Sequence, residues 1–425
     1  MRDLVVSRII GSNLVRVGVI SRAGSQPTFA YDDEYLAWED AIPLSLSLPL
    51  RRERFDVTAV RPYFDGLLPE GQARVALAAK AGAREDDYLT LLELGGLDCI
   101  GDVVVRPADQ AGTTWDEGSY VPLERSELVD IFNGFDTLAE RNMESRLSLA
   151  GTQGKVGLAH IPDAPIDEGW LQPVGGAGST HILKVTSNSR VAELEAICMR
   201  AAPACGLRAA GTDAMYVGQP VVVSERYDRL VTVRSSSLQV TRLHQEDIAQ
   251  AYGYSAAGKY LELVGGTYAT LSRLFFERSV SAMDDIEQLA RIAVYDYMVG
   301  NCDNHLKNLS IITRGHALRL APMHDVTSTT FFEHFDRHMC RRLGSTSCID
   351  DIQPSDFEAL SKDLKMGIRR MRAICAEMAE AIVPAIFDAG NYLDDTIEGL
   401  GFTAEDLADE VQERRMVVQA VAAGR

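Results

Sequence analysis

Residues 4 to 30 alternate apolar and polar positions around Gly11, Asn13 and Gly24, a period of two that predicts short strands joined by turns. Farther on, in residues 63 to 97, the period lengthens to that of a helix. There GLLPEGQARVALAAKAGAREDDYLTLLELGG puts Pro69 and Glu70 where a helix starts and Gly95 and Gly96 where one stops. IGDVVVRP at 100 to 107 returns to a β pattern, so residues 1–108 read as one small α+β unit. Residues 111 to 145 are acidic and loop-like before a weak helix. SLAGTQGKVGLAHI (148 to 161) predicts a strand, a glycine-bearing turn and another strand, and VGGAGST (174 to 180) turns into the strand HILKV. A helix is expected from Ala192 to Ala202, then strands at 213 to 217 and 220 to 224. After Arg229 helical periodicity dominates, at 245 to 252, 284 to 299, 354 to 387 and 403 to 422. The expected order is an α+β unit, a β-rich lobe over 109–229 and a helical lobe over 230–425, with no solenoid repeat or low-complexity tract.

Composition narrows the function classes. A formal charge of −19 repels a polyphosphate backbone, which disfavours broad nucleic-acid binding by the chain itself. Two short basic clusters stand out, Arg51, Arg52 and Arg54, and Arg369, Arg370 and Arg372; such clusters are more often solvated faces than binding sites. The first ten residues mix charges into their apolar positions, unlike a signal peptide, and no apolar run reaches membrane-spanning length. Seven scattered cysteines without a CxxC pair suggest neither zinc nor a disulfide framework, so a cytoplasmic location and no membrane partner are expected.

The strongest local signal is YDYMVGNCDNHLKNLSII (295 to 312), an apolar helix pattern ending near Gly300 in a polar cluster. Asp303 and Asn308 stand five apart, the spacing at which a kinase loop aspartate accepts the substrate hydroxyl proton and an asparagine holds magnesium. Phosphoryl transfer asks a protein mainly to orient a nucleophile and neutralise charge, which acidic and amide oxygens converging on one metal can do. Alone, Asn301, Asp303 and Asn308 read as turn formers. A further acidic residue, Asp325, follows the β-like LRLA, like the second magnesium aspartate of kinases, and it shifts the balance toward chemistry. Upstream, Lys184 sits on the apolar strand HILKV with Glu195 on the next helix, the order in which kinases pair a strand lysine with phosphates and a helix glutamate. Taken singly, Lys184 reads as a lysine at a strand edge. VVVSERYDRL (221 to 230) is an apolar run ending in alternating charges, a candidate adenine-reading hinge at Glu225 and Tyr227 or an ordinary strand edge. SLAGTQGK (148 to 155) fits neither GxGxxG nor the Walker pattern, because Val156 follows Lys155.

Together these stretches resemble the HipA family of toxin kinases. The resemblance runs through FDGLLPEG (64 to 71), SLAGTQGK (148 to 155), THILK (180 to 184), SERYDR (224 to 229), RLHQEDIAQAYG (242 to 253), GNCDNHLKN (300 to 308) and LAPMHDV (320 to 326). It implies a bilobal α+β fold of the protein-kinase type, related to phosphatidylinositol kinases, with an N-terminal α+β subdomain and a helical C-terminal lobe. It also implies a serine/threonine protein kinase using ATP and Mg2+. Asp303 would be the catalytic base, and Asn308 and Asp325 the metal ligands. Lys155, Lys184, Glu225, Tyr227, His305 and Lys307 would contact ATP, with Glu195 in support. Ser148 matches an inactivating autophosphorylation site. The implied partners are a HipB-like helix-turn-helix antitoxin, operator DNA mainly through that antitoxin, and a protein substrate such as glutamyl-tRNA synthetase. Three departures are visible: Tyr227 stands where the family usually has Phe, Asn304 where it often has Arg or Gly, and Leu194 where Asn normally precedes the glutamate. A kinase-like co-repressor with weak catalysis is the alternative reading, and a small-molecule kinase is a third.

Overall fold

The computed structural model describes residues 2–22, 26–110, 115–132, 154–185, 188–234, 237–255 and 267–424. They form two compact units. The first comprises Met1–Thr186, Ser224–Gly258 and Ile312–His316, and the second Ser187–Val223, Lys259–Ile311 and Ala317–Arg425.

The alternation near the N-terminus becomes an antiparallel sheet in the order Thr28–Tyr31, Asn13–Ser21, Leu4–Ile10, Val103–Pro107. Leu4 pairs with Ile20 on one side and Pro107 on the other, so both neighbours of the central strand are fixed by one register. The helical stretch resolves into three helices, Val57–Gly66, Gly71–Ala81 and Tyr88–Gly95. Asp56 and Asp87 cap the first and third by accepting from Thr58 N (2.9 Å) and Thr90 N (3.2 Å). Leu4, Val6, Phe29, Phe55, Phe64 and Leu92 are among the buried side chains of the core shared by sheet and helices. A second antiparallel sheet of this unit runs Ser119–Pro122, Trp170–Val174, Gly154–His160, His181–Val185.

The second unit is mainly helical. Helix Ala282–Val299 is buried at every position from Gln288 to Val299, which makes it the centre of this unit. Ile368–Asp394 and Leu400–Ala423 pack against each other closely enough that a Cβ on Gly390 would lie 2.4 Å from the Ala404 Cβ. Among the described residues no helix is long and apolar enough to cross a membrane.

Where the helical expectation fails, local polar chemistry explains it. Residues 245 to 252 are a strand, His244–Asp247, followed by a short helix, Ile248–Tyr252. Asp247 accepts from Gln250 N while Gln250 Oε1 accepts from Asp247 N, a capping box that prevents the helix from extending upstream. The stretch 354 to 387 is two helices, Pro354–Asp363 and Ile368–Asp394, separated where Lys365 adopts φ 51°. Hairpins Arg229–Arg234/Ser237–Arg242 and His338–Leu343/Thr346–Cys348 lie in the region read as helical.

Candidate functional site

In the second unit backbone pins join the loop that carries Asp303 and Asn308 to the loop that carries Asp325. Helix Ala282–Val299 stops at Gly300, whose φ of 77° is left-handed and whose Cβ, if present, would lie 1.9 Å from Thr330 Oγ1. Gly300 O accepts from Thr329 N (3.0 Å) and Thr330 N (3.1 Å), and Cys302 N donates to Thr329 Oγ1 (2.9 Å). At the other end, Ala321 N donates to Ser310 O (2.9 Å). The loops 300–310 and 321–330 are thus tied together at both ends, with Asp303 and Asn308 on one and Asp325 on the other. Inside the first loop, Asn308 Nδ2 donates to Asp303 O (2.9 Å), as does His305 N (2.8 Å). That bond occupies the amide nitrogen of Asn308. Asp325 has φ 60°, a left-handed conformation that few residues other than glycine adopt without strain. Met323, two residues earlier, is clamped between Arg208 O and Ala210 N (2.8 and 2.9 Å). His305 and Lys307 are buried, whereas Asp303 is exposed.

Beneath the loop lies Asp296, 4% exposed, which accepts from Asn301 Nδ2 (2.8 Å) and from Asn304 Nδ2. Burial pushes its carboxyl up to about 6, against the opposing pull of the two amides and Arg341.

In the first unit, Lys155 and Lys184 are direct cross-strand partners in the antiparallel pair Gly154–His160/His181–Val185. Lys184 is 4% exposed, and Lys155 beside it is part-buried. Glu225 ends strand Pro220–Glu225 and is exposed, and Tyr227 Oη accepts from Gln245 Nε2 (2.8 Å). Glu195, in the second unit, is buried on helix Ser189–Ala201. Ser148 lies outside the described residues.

Residues 10–106 match the family described as HipA N-terminal domain, and residues 147–386, more than half of the chain, match HipA-like C-terminal domain. The chain belongs to the HipA family. It is 33% identical over 380 residues to a Sinorhizobium fredii protein named Putative kinase Y4mE, covering 86% of this chain and 88% of that one. It is also 25% identical over 369 residues to the Serine/threonine-protein kinase toxin HipA of Shewanella oneidensis, covering 81% and 78%. The solved complex of Shewanella oneidensis HipA, HipB and operator DNA contains a chain that matches with a TM-score of 0.80 at 21% identity, over 98% of this chain and 99% of that one. The fold is therefore the α+β, kinase-like fold of HipA, with its helical C-terminal region.

Two features of this HipA chain escaped the reading of its motifs. In SERYDR the charged residues flanking Tyr227 are structural: Arg226 reaches Ser179 Oγ (2.9 Å) and Cys99 O (3.0 Å), and Arg229 reaches Asp98 Oδ1 (2.9 Å) and Gly101 O (2.7 Å). With Arg242 they surround Asp98; burial alone would raise its carboxyl, but the three guanidiniums hold it well below the usual range. Asp296 was likewise passed over as one residue of an apolar helix. A charged residue within an otherwise apolar helical run was the available signal.

Among the described residues no group of three or more His, Cys, Asp or Glu is arranged to hold a metal. A magnesium ion would therefore depend on the Asp325 carboxylate with the Asn308 amide oxygen, hard oxygen donors of the type that ion takes alongside phosphate and water.

Proposed function

We propose that this HipA protein is a serine/threonine kinase that transfers the γ-phosphate of ATP to a protein hydroxyl. The observation that supports the reading is the double pinning of loops 300–310 and 321–330, the first carrying Asp303 and Asn308 and the second Asp325. In this reading Asp303, exposed and held through its own backbone carbonyl, accepts the proton of the attacking hydroxyl. Asn308 and Asp325 hold magnesium, which supplies charge neutralisation at the phosphates. The cross-strand lysines Lys155 and Lys184 bind the phosphates, Glu225 and Tyr227 take the adenine side, and His305, Lys307 and Glu195 support the phosphate contacts. Residues 1–108 precede the kinase, 109–229 carry the phosphate contacts and hinge, and 230–425 carry the catalytic loop.

The relative solved with HipB and operator DNA supports an analogous antitoxin, through which this acidic chain would meet DNA. Autophosphorylation of Ser148, a target such as glutamyl-tRNA synthetase and a cytoplasmic location belong to the same proposal. The test is turnover of labelled ATP with a cell lysate, followed by mass-spectrometric location of the label. Wild-type protein should label a protein target and Ser148, while Asp303→Asn, folded and still binding ATP, should lose nearly all transfer. Undiminished transfer by folded Asp303→Asn would remove Asp303 from the mechanism.

A further inference from the structure

We infer that Asp296 is a positioning residue for phosphoryl transfer, holding the catalytic loop through Asn301 and Asn304 so that Asp303 meets the hydroxyl in register; the inference rests on the kinase reading above. Asp296 lies four residues before the helix ends at Gly300, and its backbone O accepts from Asn301 N (2.8 Å). Its carboxylate accepts from Asn301 Nδ2 on one oxygen and Asn304 Nδ2 on the other. Asn301 Oδ1 then accepts from Asp303 N (3.1 Å). The path from buried carboxylate to proposed base is therefore two consecutive hydrogen bonds through one amide side chain.

Chemistry makes the arrangement one-way. An ionised carboxylate only accepts, so both asparagines must present their NH2 groups to it, which fixes Asn301 Oδ1 toward the Asp303 N–H. Asn304 Oδ1 is buried and accepts nothing among the described residues, so the anchoring of that side chain runs through its donor alone. Removing a carboxylate from water is unfavourable, and a loop that needed only to be closed could use an apolar residue at this position. What the carboxylate adds is orientation, the property on which a general base depends.

The experiment compares kcat, KM for ATP and thermal midpoint for wild type, Asp303→Asn, Asp296→Asn and the reciprocal double variant Asp296→Asn/Asn304→Asp. An amide at 296 offers one acceptor where the carboxylate offers two, so one asparagine loses its acceptor or turns over and gives up its fixed orientation; kcat should fall on the order of 100-fold, as for a displaced catalytic group, with KM for ATP unchanged. Exchanging the partners restores a donor facing an acceptor, and at least 10-fold of the loss should return. Unchanged kcat in Asp296→Asn overturns the inference, as does a loss that the double variant does not recover or that appears equally in KM. If Asp296→Asn does not fold, Asn301→Ala takes its place: it cuts the link between Asp296 and Asp303, and wild-type kcat in it would likewise overturn the inference. Absence of Asp303-dependent turnover in the wild type would instead remove the kinase reading itself.

Discussion

Glu246 is a buried carboxyl whose protonated form is favoured by burial. Ser45 Oγ lies 2.5 Å from Glu246 Oε2, 2.8 Å from Ser47 Oγ and 3.2 Å from Gln250 O, yet has a single hydrogen to give. Ser47 gives its own hydrogen to Gln250 O (2.8 Å), which leaves the Ser45 hydroxyl to donate to the carboxyl. Burial pushes that carboxyl up to about 8, outweighing the bonds from Ser45 and Leu46 N that favour its ionised form. Because the folded value exceeds the unfolded one, the stability this group contributes is complete below the unfolded value and disappears as pH rises through about 8. Glu246→Gln keeps the shape and removes the titration. Urea unfolding from about pH 6 to 9 should show the wild type losing up to about 1.4 kcal/mol per pH unit more than the variant. Parallel curves would mean that the carboxyl is ionised in the fold.

At the scale of elements, the motifs marked the loops and missed their supports. The Asp303 to Asn308 spacing and the strand before Asp325 were legible because both are local in sequence. The pins between Gly300 and Thr329 and between Ser310 and Ala321 were not, since they join backbone atoms whose side chains carry no signal. Helical periodicity likewise hid the strand His244–Asp247, because Gln245 and Glu246 are buried polar residues whose partners, Tyr227 and Ser45, lie elsewhere in the chain. The left-handed φ of Asp325 is a strained feature that only coordinates reveal, and it predicts a separation of stability from activity. Asp325→Ala and Asp325→Gly both delete the carboxylate and should both lose magnesium-dependent ATP turnover. Only glycine accommodates the backbone, so Asp325→Gly should be the more stable of the two by about 1 kcal/mol. Calorimetric melting of the two variants side by side checks this, and equal midpoints would deny the strain.

For the whole molecule the notable fact is where an acidic chain places its cations. With a net charge of −19, it still places Arg226, Arg229 and Arg242 around the buried Asp98, contacts that span 128, 131 and 144 residues of sequence. Asp102 repeats the pattern with Arg8 and His244, its carboxyl raised by burial but brought down to about 2 by those partners. These ion pairs tie Ser224–Gly258 to Asp98 and Asp102, and through Asp102 to Arg8, within the first unit. Both carboxyls are depressed in the fold, so the stability they contribute is present above the unfolded carboxylate range and is lost as pH falls through their folded values. Asp98→Ala leaves three guanidiniums facing one another with only Asp228 in compensation, and at neutral pH it should lower unfolding free energy by about 3–5 kcal/mol. The deficit should begin to shrink as acid protonates Asp98 in the unfolded wild-type chain, well before it reaches the folded one. Urea denaturation at about pH 7 and again at about pH 3 measures both parts; a deficit that stays constant across that range would show that Asp98 acts through packing and not through its charge.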